Sequence, residues 1–504
     1  MDTVKIRKGS PDRYCRKTPP KKRREVPAAN NGAGSVRGVS TLSDDPHFLS
    51  IEALGERYRS GDLSPVEVTR TFLDRIAARQ GDTSAYITVT DERAMADARG
   101  AEEMLRAGND LGPLHGIPIA LKDLCDTAGI RTTSGSRVRE HHIPDTSSTV
   151  AKKLARAGTV LLGKTNLVEF AFGPFGVNEH FGTPPNPWDR SCVPGGSSSG
   201  SGVVVSGGLA TAAIGTDTGG SVRIPSAFCG IVGLKTTLGR VGTAGIMPLS
   251  RSLDTAGPMA RSVRDAALVY SAIAGPEEGD DSADYEPVGD VLAEIEDGIE
   301  GMRIGVSRKP FFEGADPEVV TLVEKVIDWF SDLGASVVEF PFPEAIQAEA
   351  EDDNLTLLRM EGYAVHRDTL AQHANQYSSR VRARLEATPE LPAADILQIQ
   401  ERRTGLMASA RRRLEGIEAV VGPTLLTTAP RLEDLEKGEP ARLLTRLVNW
   451  LGLCSISLPC GFTSRGMPVG VQLIGKPFDE ATILRAARVY EHATEWHKRS
   501  PPGF

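Results

Sequence analysis

The chain has 504 residues, 40% of them hydrophobic and 25% charged, an ordinary globular balance with ample length to bury a core. A formal net charge of −8 argues against a general nucleic-acid binder. No apolar run approaches the roughly 20 residues of a membrane helix, and the start MDTVKIRKGSPDRYCRK has no apolar signal core.

In chain order, residues 1–46 stand apart. Residues 1–45 hold eleven Lys or Arg against five Asp or Glu, with several Pro and Gly, and read as a disordered basic tail containing the run PPKKRRE. Residues 47–504 are expected to form one domain. Ser64-Pro65-Val66-Glu67 is a capping box with Pro in the first turn, and Val68, Phe72 and Ile76 repeat at helical spacing to about Arg79. A second helix is expected over Asp91–Ala107, stopped by Gly108-Asn109-Asp110. The short apolar stretches HGIPIALKD (115–123) and Thr159–Gly163 read as buried strands.

Residues 194–257 are rich in Gly, Ser and Thr and poor in charge, the composition of a backbone that must approach a ligand closely. The acidic stretch 276–300 reads as a surface excursion. A strand at RIGVS, a helix from Asp316-Pro317 to Gly334 and a strand at ASVVEF then make a βαβ-like unit. Residues 350–415 are helical, PVGVQLIG (468–475) is a strand, and a last helix runs from Asp479 to about Trp496. The elements read as an α/β chain, and the family resemblance given below implies a single large domain with a central mixed sheet covered by helices on both faces.

The six cysteines (Cys15, Cys125, Cys192, Cys229, Cys454 and Cys460) form no C-x-x-C pair, so neither a zinc site nor a disulfide framework is expected. A reducing, cytoplasmic setting follows, with no metal and no cofactor.

The stretch PGGSSSGSGVVVSGG (194–208) concentrates hydroxyls. It fails as a phosphate loop, because Val203 follows Gly202 where Lys is needed, and as a dinucleotide fingerprint, because Val205 stands where the third glycine belongs. Gly196-Ser197-Ser198-Ser199-Gly200 matches G-x-S-x-G, but the preceding PPNPWDRSCVPGG is no strand, so a nucleophile elbow at Ser198 is rejected. A serine nucleophile needs a base. No histidine lies in 194–257, whereas Lys122 sits in apolar GIPIALKDL, where burial would lower its pKa and let it accept a proton. The alternative is a lysine reaching the surface with Asp123 as partner.

The segments GIPIALKD (116–123), LLGKTNLVEFAFG (161–173), NPWDRSCVPGGSSSGSG (186–202), GTDTGGSVRIPSAFCGIVGLKTTLGRV (215–241) and GMPVGVQLIGKPFDE (466–480) together resemble the amidase signature family, over roughly residues 50–495. That resemblance implies an amidase that hydrolyses a carboxamide through a serine acyl-enzyme. It casts Ser221 as nucleophile, Ser197 (after a cis peptide) as proton relay and Lys122 as base. It also implies an oxyanion hole at Thr218, Gly219 and Gly220, support from Ser198, Asp217 and Arg223, and an acyl pocket at Ala171, Phe172, Phe175, Cys192 and Trp450. One departure is Ser199, where the family pattern G-G-S-S-G-G has glycine. If that position required positive φ, serine would be strained there. The expected partner is a small-molecule amide, with no nucleic acid and no membrane, and a homodimer left open. The alternative within the family is the glutaminase (A) component of a tRNA-dependent amidotransferase.

Overall fold

The computed structural model describes residues 45–342, 344–388, 390–437 and 444–502. The basic tail expected over 1–46 therefore lies outside the described residues, save Asp45 and Pro46, which open a short turn of helix.

Eleven strands form one mixed sheet: β1 (Tyr86–Val89), β2 (Pro118–Lys122), β3 (Val160–Thr165), β4 (Ala212–Asp217), β5 (Val232–Lys235), β6 (Thr255–Ala260), β7 (Arg303–Val306), β8 (Ser336–Glu339), β9 (Ala419–Pro423), β10 (Cys454–Phe462) and β11 (Pro468–Gly475). Their order is β1-β3-β2-β4-β6-β5-β10-β11-β9-β7-β8. β2 runs parallel to β3 and β4, and β7 runs parallel to β8 and β9. The remaining neighbours are antiparallel. Strands β2 to β6 are buried along their whole length, which is why they read as continuous apolar or small-residue runs without alternation.

The capping box forms as its sequence dictates. Ser64 Oγ accepts from the amides of Val66 and Glu67, Pro65 opens the helix, and the helix runs to Thr83. Val68, Phe72 and Ile76 face the core. The second helix spans Asp91–Arg106 and the later one Pro317–Asp332, both close to expectation.

Residues 194–257 differ from the turn-rich block that their composition suggests. They contain the helices Ser199–Ser206 and Arg223–Cys229 together with β4 and β5. The acidic stretch is also not wholly superficial: Asp280 is buried and accepts from Thr149 Oγ1 at 2.5 Å.

Position in the sheet makes the site. In parallel neighbours the carboxyl ends lie at one edge, the usual place for ligands in α/β sheets. Leu121 of β2 is in register with Ile214 of β4. Lys122, the last residue of β2, and residues 217–221, at and just past the end of β4, therefore meet at that edge.

Candidate active site

Lys122 is fully buried, and its Nζ lies 2.7 Å from Ser197 Oγ and 2.8 Å from Thr216 Oγ1. Asp123 is turned elsewhere, accepting from the Thr133 amide and hydroxyl and facing Lys164 at 3.8 Å. The alternative of a lysine at the surface paired with Asp123 is thus excluded. Burial lowers the Lys122 pKa to about 7, while more distant charges at Cys125, Asp254 and Asp217 partly oppose the shift. The amine is poised to exchange a proton near neutrality.

Ser197 is fully buried and follows a cis Gly196–Ser197 peptide. Its carbonyl accepts from the Val168 amide at 3.1 Å. Ser198 Oγ bridges to the Thr216 backbone, and the Ser198 amide donates to the Ser221 carbonyl at 3.3 Å. Ser199 opens the helix that follows and has no positive φ, so the departure from glycine there carries no backbone strain. Of Lys122, Ser197 and Ser221, the first two are 0% exposed and Ser221, also buried, is 8% exposed.

Asp217 organises the loop that carries Ser221. One carboxylate oxygen accepts from the Gly220 amide at 2.7 Å, Arg223 Nη2 at 3.1 Å and Asn449 Nδ2 at 2.9 Å. The other accepts from the Val222 amide and Arg223 Nε, each at 3.1 Å. Burial alone would raise the Asp217 pKa. The Arg223 guanidinium and these hydrogen bonds overcome that and hold the carboxyl well below its usual range. Arg223 is itself satisfied by the Thr445 carbonyl and Asn449 Oδ1. Gly220 has φ +125°, and a Cβ there would stand 2.3 Å from Thr445 Oγ1, so only glycine fits. Asp217 thus already engages the Gly220 N–H, one of the amides expected from sequence in the oxyanion hole.

A cavity of about 130 Å³ adjoins this edge, lined by Ala171, Thr216, Thr218, Ile246 and Met247 through Leu249, Arg251 and Asp254, among others. Of the five expected pocket residues, Ala171 lines it. Phe175 and Cys192 belong to a separate apolar cluster with Val193, Ile224 and Phe228. Phe172 and Trp450 are packed into the main core. Thr216 and Asp254 carry no expectation from sequence. Thr216 adjoins the Asp217 motif and could have been flagged by it, but nothing around Asp254 marks that residue. Asp254 accepts from Thr218 Oγ1 at 2.5 Å and from the Leu249 and Ser250 amides. Burial raises its pKa to about 6.

The family model described as Amidase matches residues 67–484. The chain belongs to the amidase family. As an amidase it is an enzyme that cleaves C–N bonds of amides. This amidase is 38% identical, over 90% of its own length and 99% of the other's, to the A subunit of glutamyl-tRNA(Gln) amidotransferase from Geobacter sp. (strain M21). Its fold matches the peptide amidase of Stenotrophomonas maltophilia with a TM-score of 0.78 at 30% identity, covering 90% of this chain and 98% of that one. It matches the A subunit of glutamyl-tRNA(Gln) amidotransferase from Thermotoga maritima with a TM-score of 0.76 at 30% identity, covering 92% and 99%. The expectation of a small-molecule amide as sole partner, without nucleic acid, does not stand. Full-length relatives are named as one component of an enzyme acting on a glutamyl-tRNA. Among the described residues no helix is long and apolar enough to cross a membrane.

Proposed function

We propose that this amidase hydrolyses the side-chain carboxamide of glutamine as the glutaminase component of a tRNA-dependent amidotransferase, through an acyl-enzyme on Ser221. The chemistry rests above all on the contact of buried Lys122 Nζ with Ser197 Oγ, beside the loop that carries Ser221. The amidotransferase reading rests on likeness over nearly the whole length of the relatives. The five described cysteines are all free and buried, which fits the cytoplasmic setting proposed with it.

Neutral Lys122 takes the proton of Ser197, and Ser197 takes that of Ser221 as its Oγ attacks the amide carbon. The oxyanion is held by the amides of Thr218, Gly219 and Ser221, with Asp217 fixing Gly220 between them. One such donor contributes about 3–4 kcal/mol to lowering the barrier. Collapse breaks the C–N bond, Ser197 returns a proton to the leaving nitrogen, and the Lys122 ammonium reprotonates Ser197. Water then attacks the ester by the same relay and regenerates Ser221.

A free-standing amidase is the second reading, favoured by the likeness to the peptide amidase. The two separate on one assay, in which ammonia release from glutamine and from peptide amides is measured with and without the other amidotransferase components and glutamyl-tRNA. Glutamine turnover that requires the complex supports the amidotransferase. Turnover of peptide amides by the chain alone supports the second reading. Ser221→Ala is expected to cost at least about 10³-fold in kcat under either, and full activity in that variant would refute the mechanism.

A further inference from the structure

β4 and β6 pair antiparallel with Asp217 opposite Thr255, so one step beyond the ladder Thr218 stands opposite Asp254. The Thr218 hydroxyl donates to Asp254 Oδ1 at 2.5 Å. The other Asp254 oxygen accepts from the Leu249 and Ser250 amides at 2.9 and 3.1 Å, which fixes the carboxylate from the far side. The peptide that carries the Thr218 N–H is held as well. Its carbonyl, that of Asp217, accepts from Thr255 Oγ1 at 2.9 Å and from Asn449 Nδ2 at 3.0 Å. In a planar trans peptide the N–H points opposite to the carbonyl, so a held carbonyl aims the N–H. Thr218 is thus gripped on its backbone by Thr255 and Asn449, and on its side chain by Asp254.

We propose that Asp254 is a positioning residue: through the Thr218 hydroxyl it holds the Thr218 N–H in place for the oxyanion that forms when Ser221 attacks. This rests on the acyl-enzyme reading above and adds a residue from outside the motif that carries Ser221. An oxyanion donor acts through being fixed before charge develops, because no reorganisation is then needed during reaction. Without its bond to Asp254 the Thr218 side chain can change rotamer, and only the Asp217 carbonyl still constrains the amide.

The charge of Asp254 gives this role a second readout. Burial lowers the Lys122 pKa, and the charges at Cys125, Asp254 and Asp217 partly oppose that shift. Removing the Asp254 charge therefore moves the Lys122 titration to lower pH. Glu361, a further carboxylate facing Asp254, is left unchanged in every variant below.

The test measures kcat and KM for ammonia release from glutamine in the complex, or from a peptide amide if the chain acts alone. Asp254→Asn is expected to lower kcat about 10- to 100-fold with KM within about threefold, the scale of a misaligned rather than a missing donor. Its kcat/KM inflection is expected at lower pH than in the wild type. Thr218→Val, which removes only the hydroxyl, is expected to lower kcat to a similar extent without moving the inflection. Thr218→Ser, which keeps the hydroxyl, is expected within about threefold of the wild type. In Asp254→Asn/Thr218→Val the two losses should not multiply, because they break one bond. If Asp254→Asn does not fold, Thr218→Val against Thr218→Ser decides the same bond. Wild-type kcat in Asp254→Asn or Thr218→Val, a loss that falls on KM alone, or losses that multiply overturns the proposal. Failure of the acyl-enzyme reading shows separately, as turnover that survives Ser221→Ala, and takes the proposal with it.

Discussion

Among the described residues Lys122 carries its burial without a hydrogen-bonded carboxylate, meeting the hydroxyls of Ser197 and Thr216. With a folded pKa of about 7 against an ordinary value of 10.5, the lysine binds fewer protons folded than unfolded between those two values. Stability therefore rises with pH across that window, and the burial cost is complete below about pH 7. Catalysis follows the same group in the same direction, because only the neutral amine accepts a proton. We expect kcat/KM to climb with pH and level off above an inflection near 7, read from initial rates between pH 5 and 9. An uncharged side chain of similar length, Lys122→Met, is expected to abolish that turnover while raising Tm, more at pH 6 than at pH 9. A flat pH profile, or a Tm gain that grows with pH, would place the titrating base elsewhere.

At the scale of elements, the loop after β4 is held by an ion pair with both partners 0% exposed, Arg223–Asp217. Removing one charge leaves the other buried and unmatched, a loss of about 3–5 kcal/mol. Asp217→Asn also weakens the grip on the Gly220 amide, so kcat should fall together with Tm, as thermal unfolding and steady-state kinetics would show. If Asp217→Asn lowered Tm and left kcat untouched, the loop would be indifferent to the carboxylate.

This arrangement was only half legible in the residues. The D-T-G-G-S-V-R motif and Lys122 stand out in the sequence, but which amide Asp217 captures is decided by the turn itself. Elements with ordinary signals came through: the Ser64-Pro65 cap, and the apolar β2. Strands β4 and β6 did not, because AAIGTD and TAGPMA are Gly, Ala and Thr runs without alternation, buried on both faces. β10 hides behind Pro459, where the pairing with β11 shifts register to accommodate it. The cavity beside the site was the least legible part. Phe175 and Cys192 lie near the motif in sequence, yet they pack in a cluster of their own, while the cavity takes its wall from 246–249, a turn with no distinguishing composition.

At the scale of the molecule, the sheet order shows how the chain is tied together. Strands β1 to β6 and strands β7 to β9 form two groups that share no ladder, and β10 and β11, from the C-terminal part of the sequence, pair between them. A main hydrophobic cluster runs through both groups, from Leu49 to Tyr490. The site obeys the same logic, since Lys122 and Ser221 belong to the first group while Asn449, which steadies Asp217, lies just before β10. Ending the chain after Leu453 removes β10 and β11 and opens strand edges in the middle of the sheet, so that variant is expected to be insoluble or unfolded. The opposite truncation removes 1–44, whose basic, Pro- and Gly-containing composition supplies few core-forming residues. We propose that domain folding starts at about residue 47. Loss of 1–44 should leave Tm within about 2 °C and amide turnover within about twofold, because a segment of that composition has little apolar surface to bury. Differential scanning fluorimetry and the glutamine assay on both truncations check this together. A folded, active chain ending at Leu453 would mean that the two groups of strands stand without the pair that joins them.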